Sequence, residues 1–157
     1  MESVKSVIRR ISATLFAFLL IACLCLPNVA PGADTSQMLV GNWYGEKAQS
    51  GTFNGNPFNH RRWLVMHQSD GSARDIHRYY LDGKVQGEYI EEYGWGVTNN
   101  IYWNICRSKN SNGAVTACSE RSEYEILSVT SGEFRYRSLK SQTSYSAVRV
   151  PKEFRLP

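Results

Sequence analysis

The sequence lacks several features that would assign it to a common class of protein. It has no heptad pattern and no Gly-X-Y repeat, which excludes a coiled coil and a collagen. No block of like charge occurs, and residues 34–157 carry 15 basic and 13 acidic side chains, so composition does not support nucleic-acid binding. No window after residue 33 has helical periodicity. What is present is an aromatic-rich chain of 157 residues, a length that fits one domain.

The first thirty or so residues have the pattern of an export signal. Lys5, Arg9 and Arg10 precede an apolar run at 11–26 that is shorter than the roughly 20 residues of a membrane span. Small residues follow at 30–33, as in a secretory signal before its cleavage site. We therefore expect residues 1–33 to be a signal peptide and residues 34–157 to form the exported domain.

An earlier cleavage site is the alternative. Leu20-Ile21-Ala22-Cys23 resembles the bacterial lipobox, which would limit the signal to residues 1–22 and place a lipid on Cys23. Against it, Leu24-Cys25-Leu26 continues the apolar run, and cleavage near residue 33 leaves an even pair of cysteines. We favour a soluble protein in the periplasm or outside the cell over an outer-membrane lipoprotein. The membrane is then contacted only through the signal segment or a Cys23 lipid.

The exported part consists of short aromatic and β-branched runs separated by turn signals, which predicts an all-β protein. The predicted strands are Leu39–Glu46, Arg61–Gln68, Ala73–Leu81, Val85–Glu92, Asn100–Cys106, Ser119–Leu127, Glu133–Leu139 and Thr143–Val150. Short connections pair neighbouring strands antiparallel, in an up-and-down order. Closure into a single eight-stranded barrel removes both free edges, and we expect it to be a monomer.

Two longer connections interrupt this pattern. Lys47–His60 contains three glycines or prolines and no strand pattern, which predicts a lid, a binding loop or a disordered connection. Cys106 and Cys118 flank a polar segment with no apolar residue to anchor it. We expect a disulfide across the base of this loop, in keeping with an oxidising compartment.

Three short motifs, in this order, resemble those of small bacterial lipocalin-like domains. Gly41-Asn42-Trp43 opens the first predicted strand, the Asp-Gly hairpins follow, and Phe134–Leu139 and Tyr145–Val150 form the final hairpin. The resemblance covers Leu39–Val150. It implies that Gly41 and Trp43 pack under Arg149 of the last strand and close one end of the barrel. It also implies a small ligand inside.

The register of the hairpins predicts which residues line the barrel. If Asp70-Gly71 is a two-residue turn, His67 lies opposite Arg74, and His67 and His77 point to opposite faces. Trp63, Arg78, Tyr80 and Tyr89 then share the aromatic inner face. We expect these four to bind a small apolar or amphipathic molecule, with Arg78 holding its anionic group.

Other functions find less support in the residues. No nucleophile elbow, Cys–His pair or phosphate loop is present, so we expect neither an enzyme nor a cofactor. The three histidines are not spaced to share a metal ion, so we expect no metal site. The alternative function is a barrel filled by its own side chains that binds an envelope protein or an inhibitor target. A cavity of at least about 300 Å³ would favour the ligand, and a packed interior would favour the protein partner.

Overall fold

The fold is known from a computed structural model that describes residues 33–111 and 113–157. The predicted signal segment before Ala33, including the candidate lipidation site Cys23, lies outside the described residues. Within them, one short helix is followed by nine strands. These are α1 (Ala33–Leu39), β1 (Gly41–Phe53), β2 (Asn56–His67), β3 (Ser72–Leu81), β4 (Lys84–Thr98), β5 (Ile101–Ser111), β6 (Ala114–Ala117), β7 (Arg121–Val129), β8 (Glu133–Ser138) and β9 (Ser144–Val150).

The strands form a closed antiparallel barrel, as predicted. Each strand pairs with its neighbours, and β9 returns to β1 with Trp43 opposite Arg149. Both β6 and β7 lie beside β5, β6 along its second half and β7 along its first half. The nine strands therefore occupy eight positions around the ring, which has the architecture of a lipocalin-like barrel.

The segment Lys47–His60 is a hairpin, so the prediction of a loop without strands was wrong. β1 continues to Phe53 and β2 begins at Asn56, with only Asn54 and Gly55 between them. Both turn residues have positive φ, 51° and 82°, the conformation that a tight hairpin turn with right-handed twist requires. An Asn-Gly dipeptide adopts this conformation readily and is typical of a two-residue hairpin turn. This indication of a hairpin was missed because the segment also contains another glycine and a proline.

The segment between Cys106 and Cys118 is also a hairpin. β5 extends to Ser111, and β6 pairs back on it from Ser111 opposite Ala114 to Ser108 opposite Ala117. The two cysteines form the expected disulfide, with their Cα atoms 5.4 Å apart. The bond joins the middle of β5 to the break between β6 and β7.

The hairpin between β2 and β3 differs from the predicted register by one residue. His67 lies opposite Ala73 instead of Arg74, because the turn contains three residues, Ser69, Asp70 and Gly71. Gly71 has a φ of +80°, as expected for the last residue of a three-residue hairpin loop. Since side chains alternate between faces, this one-residue shift moves every β3 side chain to the opposite face of the sheet.

A second shift restores the predicted faces in β4. The pairing of β3 with β4 is interrupted between Tyr79 and Tyr80, where Gln86 is left over as a bulge. After this bulge Tyr89 lies opposite His77 on the inner face. The turn before β3 and the bulge before this part of β4 each shift the predicted register by one residue. The inner-face assignment is therefore wrong for β3 and correct for Tyr89 on β4.

One end of the barrel is closed by α1 and the residues that follow it. Leu39 is fully buried, and its carbonyl accepts hydrogen bonds from Trp43 Nε1 (2.8 Å) and His67 Nδ1 (3.1 Å). The Arg149 guanidinium lies 4.2 Å from the centre of the Trp43 ring and donates to the carbonyls of Met38, Val40 and Ser131. Gly41 is required here, because a Cβ atom would lie 2.5 Å from Arg149 Nη1. This is the contact that the resemblance implied.

The core is packed at this closed end, and most of its members are aromatic. Its buried members are Leu39, Trp43, Trp63, Val65, Ala73, Tyr93, Trp95, Tyr102, Ile126, Phe134, Tyr136 and Ala147. Phe134 stacks on Tyr136 with ring centres 4.4 Å apart, and Tyr136 stacks on Tyr145 at 5.3 Å. The turns Asn54-Gly55 and Asp82-Gly83 lie at the opposite end, which we call the open end.

Candidate functional site

The barrel encloses a cavity of about 140 Å³ between the packed core and the open end. Its walls combine tyrosines with charged and polar side chains. They are Arg61, Trp63, Val65, Asp75, His77, Tyr89, Glu91, Tyr93, Tyr102, Asn104, Ser122, Tyr124, Tyr136 and Tyr145. The residues come from β2, β3, β4, β5, β7, β8 and β9, so the cavity exists only in the closed barrel.

The four residues predicted to bind a ligand divide between the two faces. Trp63 and Tyr89 line the cavity. Arg78 and Tyr80 lie on the outer face, because the three-residue turn reverses β3. Arg78 Nε lies 2.5 Å from Glu88 Oε2 and its Nη1 donates to the carbonyl of Leu156 at 2.6 Å. The prediction that Arg78 reaches into the barrel was wrong; it holds the C-terminal segment on the outside.

The same reversal brings an Asp–His pair into the cavity. Asp75 and His77 are two residues apart on β3, and Asp75 Oδ2 accepts a hydrogen bond from His77 Nε2 at 2.8 Å. The His77 ring stacks on Tyr89 with ring centres 4.5 Å apart and planes 16° from parallel. Its side chain is only 8% exposed. Stacking and the hydrogen bond together fix the orientation of the imidazole.

The second oxygen of Asp75 and the second ring nitrogen of His77 have no hydrogen-bonding partner among the described residues. Both atoms, Asp75 Oδ1 and His77 Nδ1, are buried. If His77 is neutral with Nε2 protonated, Nδ1 is an acceptor. Two acceptor atoms then face the cavity, and leaving such groups unsatisfied costs about 1–3 kcal/mol each.

Arg61 and Trp63 on β2 present unpaired donors to the same cavity. The Arg61 guanidinium lies 5.0 Å from the centre of the Trp63 ring and 5.8 Å from that of Tyr145, within cation–π range. Arg61 Nε and Trp63 Nε1 are buried and have no acceptor within the described part of the chain. The Trp63 ring lies flat across Gly45, where a Cβ atom would come within 2.2 Å of it.

Glu91 adds a second carboxyl group beside Asp75. The two residues lie opposite each other on β4 and β3, with Glu91 half-buried. Burial raises the pKa of Glu91, and the nearby Asp75 raises it further, while Lys109 opposes the shift. Burial likewise raises the pKa of Tyr89, Tyr93 and Tyr136, so these phenols remain neutral and polar at physiological pH.

The floor of the cavity is a hydrogen-bonded chain that leads to the closed end. The Leu39 carbonyl can only accept, so His67 Nδ1 donates to it, and His67 Nε2 accepts from the Tyr102 hydroxyl at 3.0 Å. The hydroxyls of Tyr102 and Tyr93 lie 3.3 Å apart. Burial lowers the pKa of His67 to about 4, so this imidazole is neutral. The chain satisfies its own polar atoms, unlike the cavity walls above it.

In the part of the chain that the structure describes, one group of three His, Cys, Asp or Glu side chains lies close enough to share a metal ion. It consists of Cys106, Cys118 and Glu120, and both sulfur atoms belong to the disulfide. His67 and His77 both face inward, which corrects the prediction of opposite faces. They still lie four strand positions apart, His67 opposite Ala73 and His77 opposite Trp63.

Comparison with known proteins gives no further identification. The chain matches no family model and no curated protein. Among residues 33–111 and 113–157, no helix has the length and apolar character to cross a membrane. The assignment of function therefore depends on the cavity itself.

Most of the polar residues of the cavity were not predicted from the sequence. The two-residue turn assumed from the sequence places Asp75 and His77 on the face opposite Arg78, which is the outer one in that register, and Arg61 was not singled out. Gly71 was the available signal, because a Ser-Asp-Gly sequence also fits a three-residue loop with glycine in the left-handed position. Counting three residues instead of two places Asp75, His77 and Tyr79 on the inner face.

Proposed function

We propose that this protein binds a small polar molecule inside the barrel. The observation that carries the proposal is the set of four buried polar atoms around one cavity that have no partner among the described residues: Arg61 Nε, Trp63 Nε1, Asp75 Oδ1 and His77 Nδ1. Buried polar groups in native proteins are nearly always hydrogen-bonded, to the protein or to ordered water, and unsatisfied groups that converge on a cavity support a ligand that binds there.

The cavity favours a polar ligand over the apolar or amphipathic one expected from the sequence. A volume of about 140 Å³ is below the roughly 300 Å³ of a typical ligand site. It is close to the engineered apolar cavity of about 150 Å³ that holds one benzene molecule. A ligand with one ring or a short chain fits, its body between tyrosines and its polar groups on Arg61, Asp75 and His77.

The cavity is smaller than the about 300 Å³ that would favour a ligand, so its volume alone favours the alternative, a barrel filled by its own side chains that binds an envelope protein. The four unsatisfied polar atoms around the cavity favour the ligand, and we give them more weight. Phe134, Tyr136 and Trp43 fill the closed end. The cavity lies beside these side chains, and core residues such as Trp63 and Tyr102 form part of its wall. We propose binding without catalysis, because within the described residues His77 Nδ1 has no hydroxyl or thiol partner that it could activate.

We also propose that binding takes place outside the cytoplasm. The Cys106–Cys118 disulfide is consistent with an oxidising compartment. The signal pattern before residue 34 supports the same location. Membership of the lipocalin-like family remains part of this proposal, supported by the closed barrel and by the Trp43–Arg149 contact.

A cavity-filling variant tests the binding function. Native mass spectrometry of the protein purified from its own host should show a small molecule bound to the wild type. Ser122→Phe places a ring in the cavity and should abolish this added mass. Ser128→Phe, at an exposed position of the same strand, should keep it. The intact mass also identifies the mature N-terminus, which we expect near residue 34 without a lipid.

The proposal fails if the wild type carries no small molecule, or if Ser122→Phe retains it in the same amount as Ser128→Phe. Either result would favour the protein-binding alternative. Near-ultraviolet circular dichroism of both variants establishes that each has kept its packed aromatic core.

A further inference from the structure

We propose that the ligand is a small zwitterion, whose anionic group binds Arg61 and Trp63 and whose cationic group binds Asp75, His77 and Glu91. This inference rests on the proposed binding function and specifies the chemistry of its ligand. It follows from the positions of the charged side chains along the cavity wall, with Arg61 nearer the open end and the Asp75 and Glu91 carboxyl groups deeper.

The donors lie together towards the open end. Arg61 and Trp63 are two residues apart on β2 and therefore face the cavity side by side. Each has a buried N–H group without a partner among the described residues, and Arg61 carries a full positive charge. A carboxylate is the group best matched to a guanidinium with a neighbouring N–H donor.

The acceptors begin at the level of Trp63, which lies opposite His77, and continue deeper to Asp75. Asp75 offers Oδ1, His77 offers Nδ1, and the Glu91 carboxyl lies on the neighbouring strand opposite Asp75. Tyr89 and Tyr93 from the same strand add aromatic faces to this part of the wall. Carboxylates combined with aromatic rings are suited to an ammonium group, which forms charge-assisted hydrogen bonds and cation–π contacts.

Arg61 and the Asp75 carboxylate start from different levels of the barrel. Arg61 lies opposite Tyr79 and Val65 lies opposite Asp75, so Arg61 and Asp75 are four strand positions apart. At about 3.3 Å per residue this is roughly 13 Å along the strands. No ion pair within the described part of the chain joins Arg61 to either carboxylate. A molecule with separated charges bridges the gap.

Charge balance favours a zwitterion over a simple ion. Burying a charge without compensation is costly, and the cavity already contains charges of both signs. A purely cationic ligand would leave Arg61 unmatched, and a purely anionic ligand would leave Asp75 unmatched. A zwitterion satisfies both without adding net charge to the interior.

Four probes with the same benzene ring separate these possibilities by isothermal titration calorimetry. They are para-aminomethylbenzoate, which is zwitterionic, benzylamine, benzoate and the neutral benzyl alcohol. With the wild type we expect the zwitterion to bind about tenfold or more tightly than each of the others, since hydrogen bonds to charged groups differ from neutral ones by such factors.

Charge-removing variants identify the two ends. Arg61→Gln should weaken the zwitterion and benzoate by about tenfold or more and leave benzylamine nearly unchanged. Asp75→Asn should have the opposite selectivity. Arg62→Gln, the adjacent residue on the outer face of β2, is the matched control and should change none of the affinities. If Asp75→Asn does not fold, Glu91→Gln provides the same test, with the exposed Glu92→Gln as its control.

Three results would overturn the inference. Equal affinity for benzylamine and the zwitterion, unaffected by Arg61→Gln, would show a cation site only. Failure of all four probes to bind, while the wild type retains a small molecule that Ser122→Phe removes, would reject the zwitterion and leave the binding function intact. Absence of any bound molecule in both experiments would reject both proposals.

Discussion

At the scale of single residues, the barrel interior contains two histidines with different surroundings. Both ring nitrogens of His67 have hydrogen-bonding partners, the Leu39 carbonyl and the Tyr102 hydroxyl, in the packed end of the barrel. His77 has one satisfied nitrogen and one that faces the cavity without a partner in the described chain. The first arrangement is typical of a structural histidine, and the second is typical of a ligand contact.

The buried His67 should make the stability of the barrel dependent on pH. Its pKa is about 4 in the folded protein against an ordinary value of 6.5, because burial disfavours the charged imidazolium. The unfolded chain therefore binds the proton first as the pH falls. The contribution of His67 is complete above pH 6.5 and decreases towards pH 4, by about 3 kcal/mol in total.

Urea denaturation at several pH values measures this effect. Between pH 7 and pH 4 the wild type should lose about 3 kcal/mol more unfolding free energy than His67→Gln, which cannot be protonated. His60→Gln controls for the loss of a histidine on the outer face and should behave as the wild type does. Parallel pH profiles for wild type and His67→Gln would contradict the assignment.

At the scale of the elements, turn length decides which side chains reach the cavity. The alternation of polar and apolar residues located the strands and placed Trp63 and Tyr89 on the inner face. It could not decide between a two-residue and a three-residue loop at Asp70-Gly71, since both fit the sequence. Asp75, His77 and Arg78 were therefore assigned to the wrong faces, and the polar nature of the site could not be predicted.

The two missed hairpins have a related cause. Strand prediction from composition penalises glycine, asparagine and proline, which are frequent in Lys47–His60 and around Asn110–Gly113. In the structure these residues are tolerated because each segment pairs with a neighbouring strand. Phe53 stacks on Tyr79 with ring centres 4.4 Å apart, a contact between β1 and β3 that a reading of local sequence cannot detect.

The disulfide should stabilise the β5–β6 element mainly through the unfolded state. It closes a loop with a sequence separation of 12 residues, for which chain entropy gives roughly 2–3 kcal/mol. Cys106→Ala/Cys118→Ala should lower the unfolding free energy by about that amount in urea denaturation. A reductant should destabilise the wild type and leave the double variant unchanged; equal stability of the two proteins would contradict the prediction.

At the scale of the whole molecule, the barrel has one filled end and one end with a cavity. Closure of the ring by β1 and β9 brings Arg149 over Trp43. Its bonds to the carbonyls of Met38, Val40 and Ser131 also tie α1 to the turn between β7 and β8. The resemblance to lipocalin-like domains predicted this contact from three short motifs. It did not predict the contents of the cavity, because polar lining residues are not part of those motifs.

Loss of the Arg149 contact should destabilise the entire barrel. Arg149→Met keeps much of the side-chain volume but removes the cation–π contact and the bonds to three carbonyls, so we expect a loss of about 3 kcal/mol. Arg135→Met, at an exposed position of β8, should change stability by less than about 0.5 kcal/mol. Urea denaturation compares the two, and similar values would show that Arg149 does not close the barrel.

The three-residue turn at Ser69–Gly71 has a consequence for how such a site can evolve. Each β3 face carries a different set of charges, Asp75 and His77 on the inner one and Arg74 and Arg78 on the outer one. Deleting one turn residue would exchange the faces and replace an acidic stretch of lining by a basic one. The charge of the ligand that such a barrel selects is thus open to change through an insertion or deletion, without any substitution in the strands.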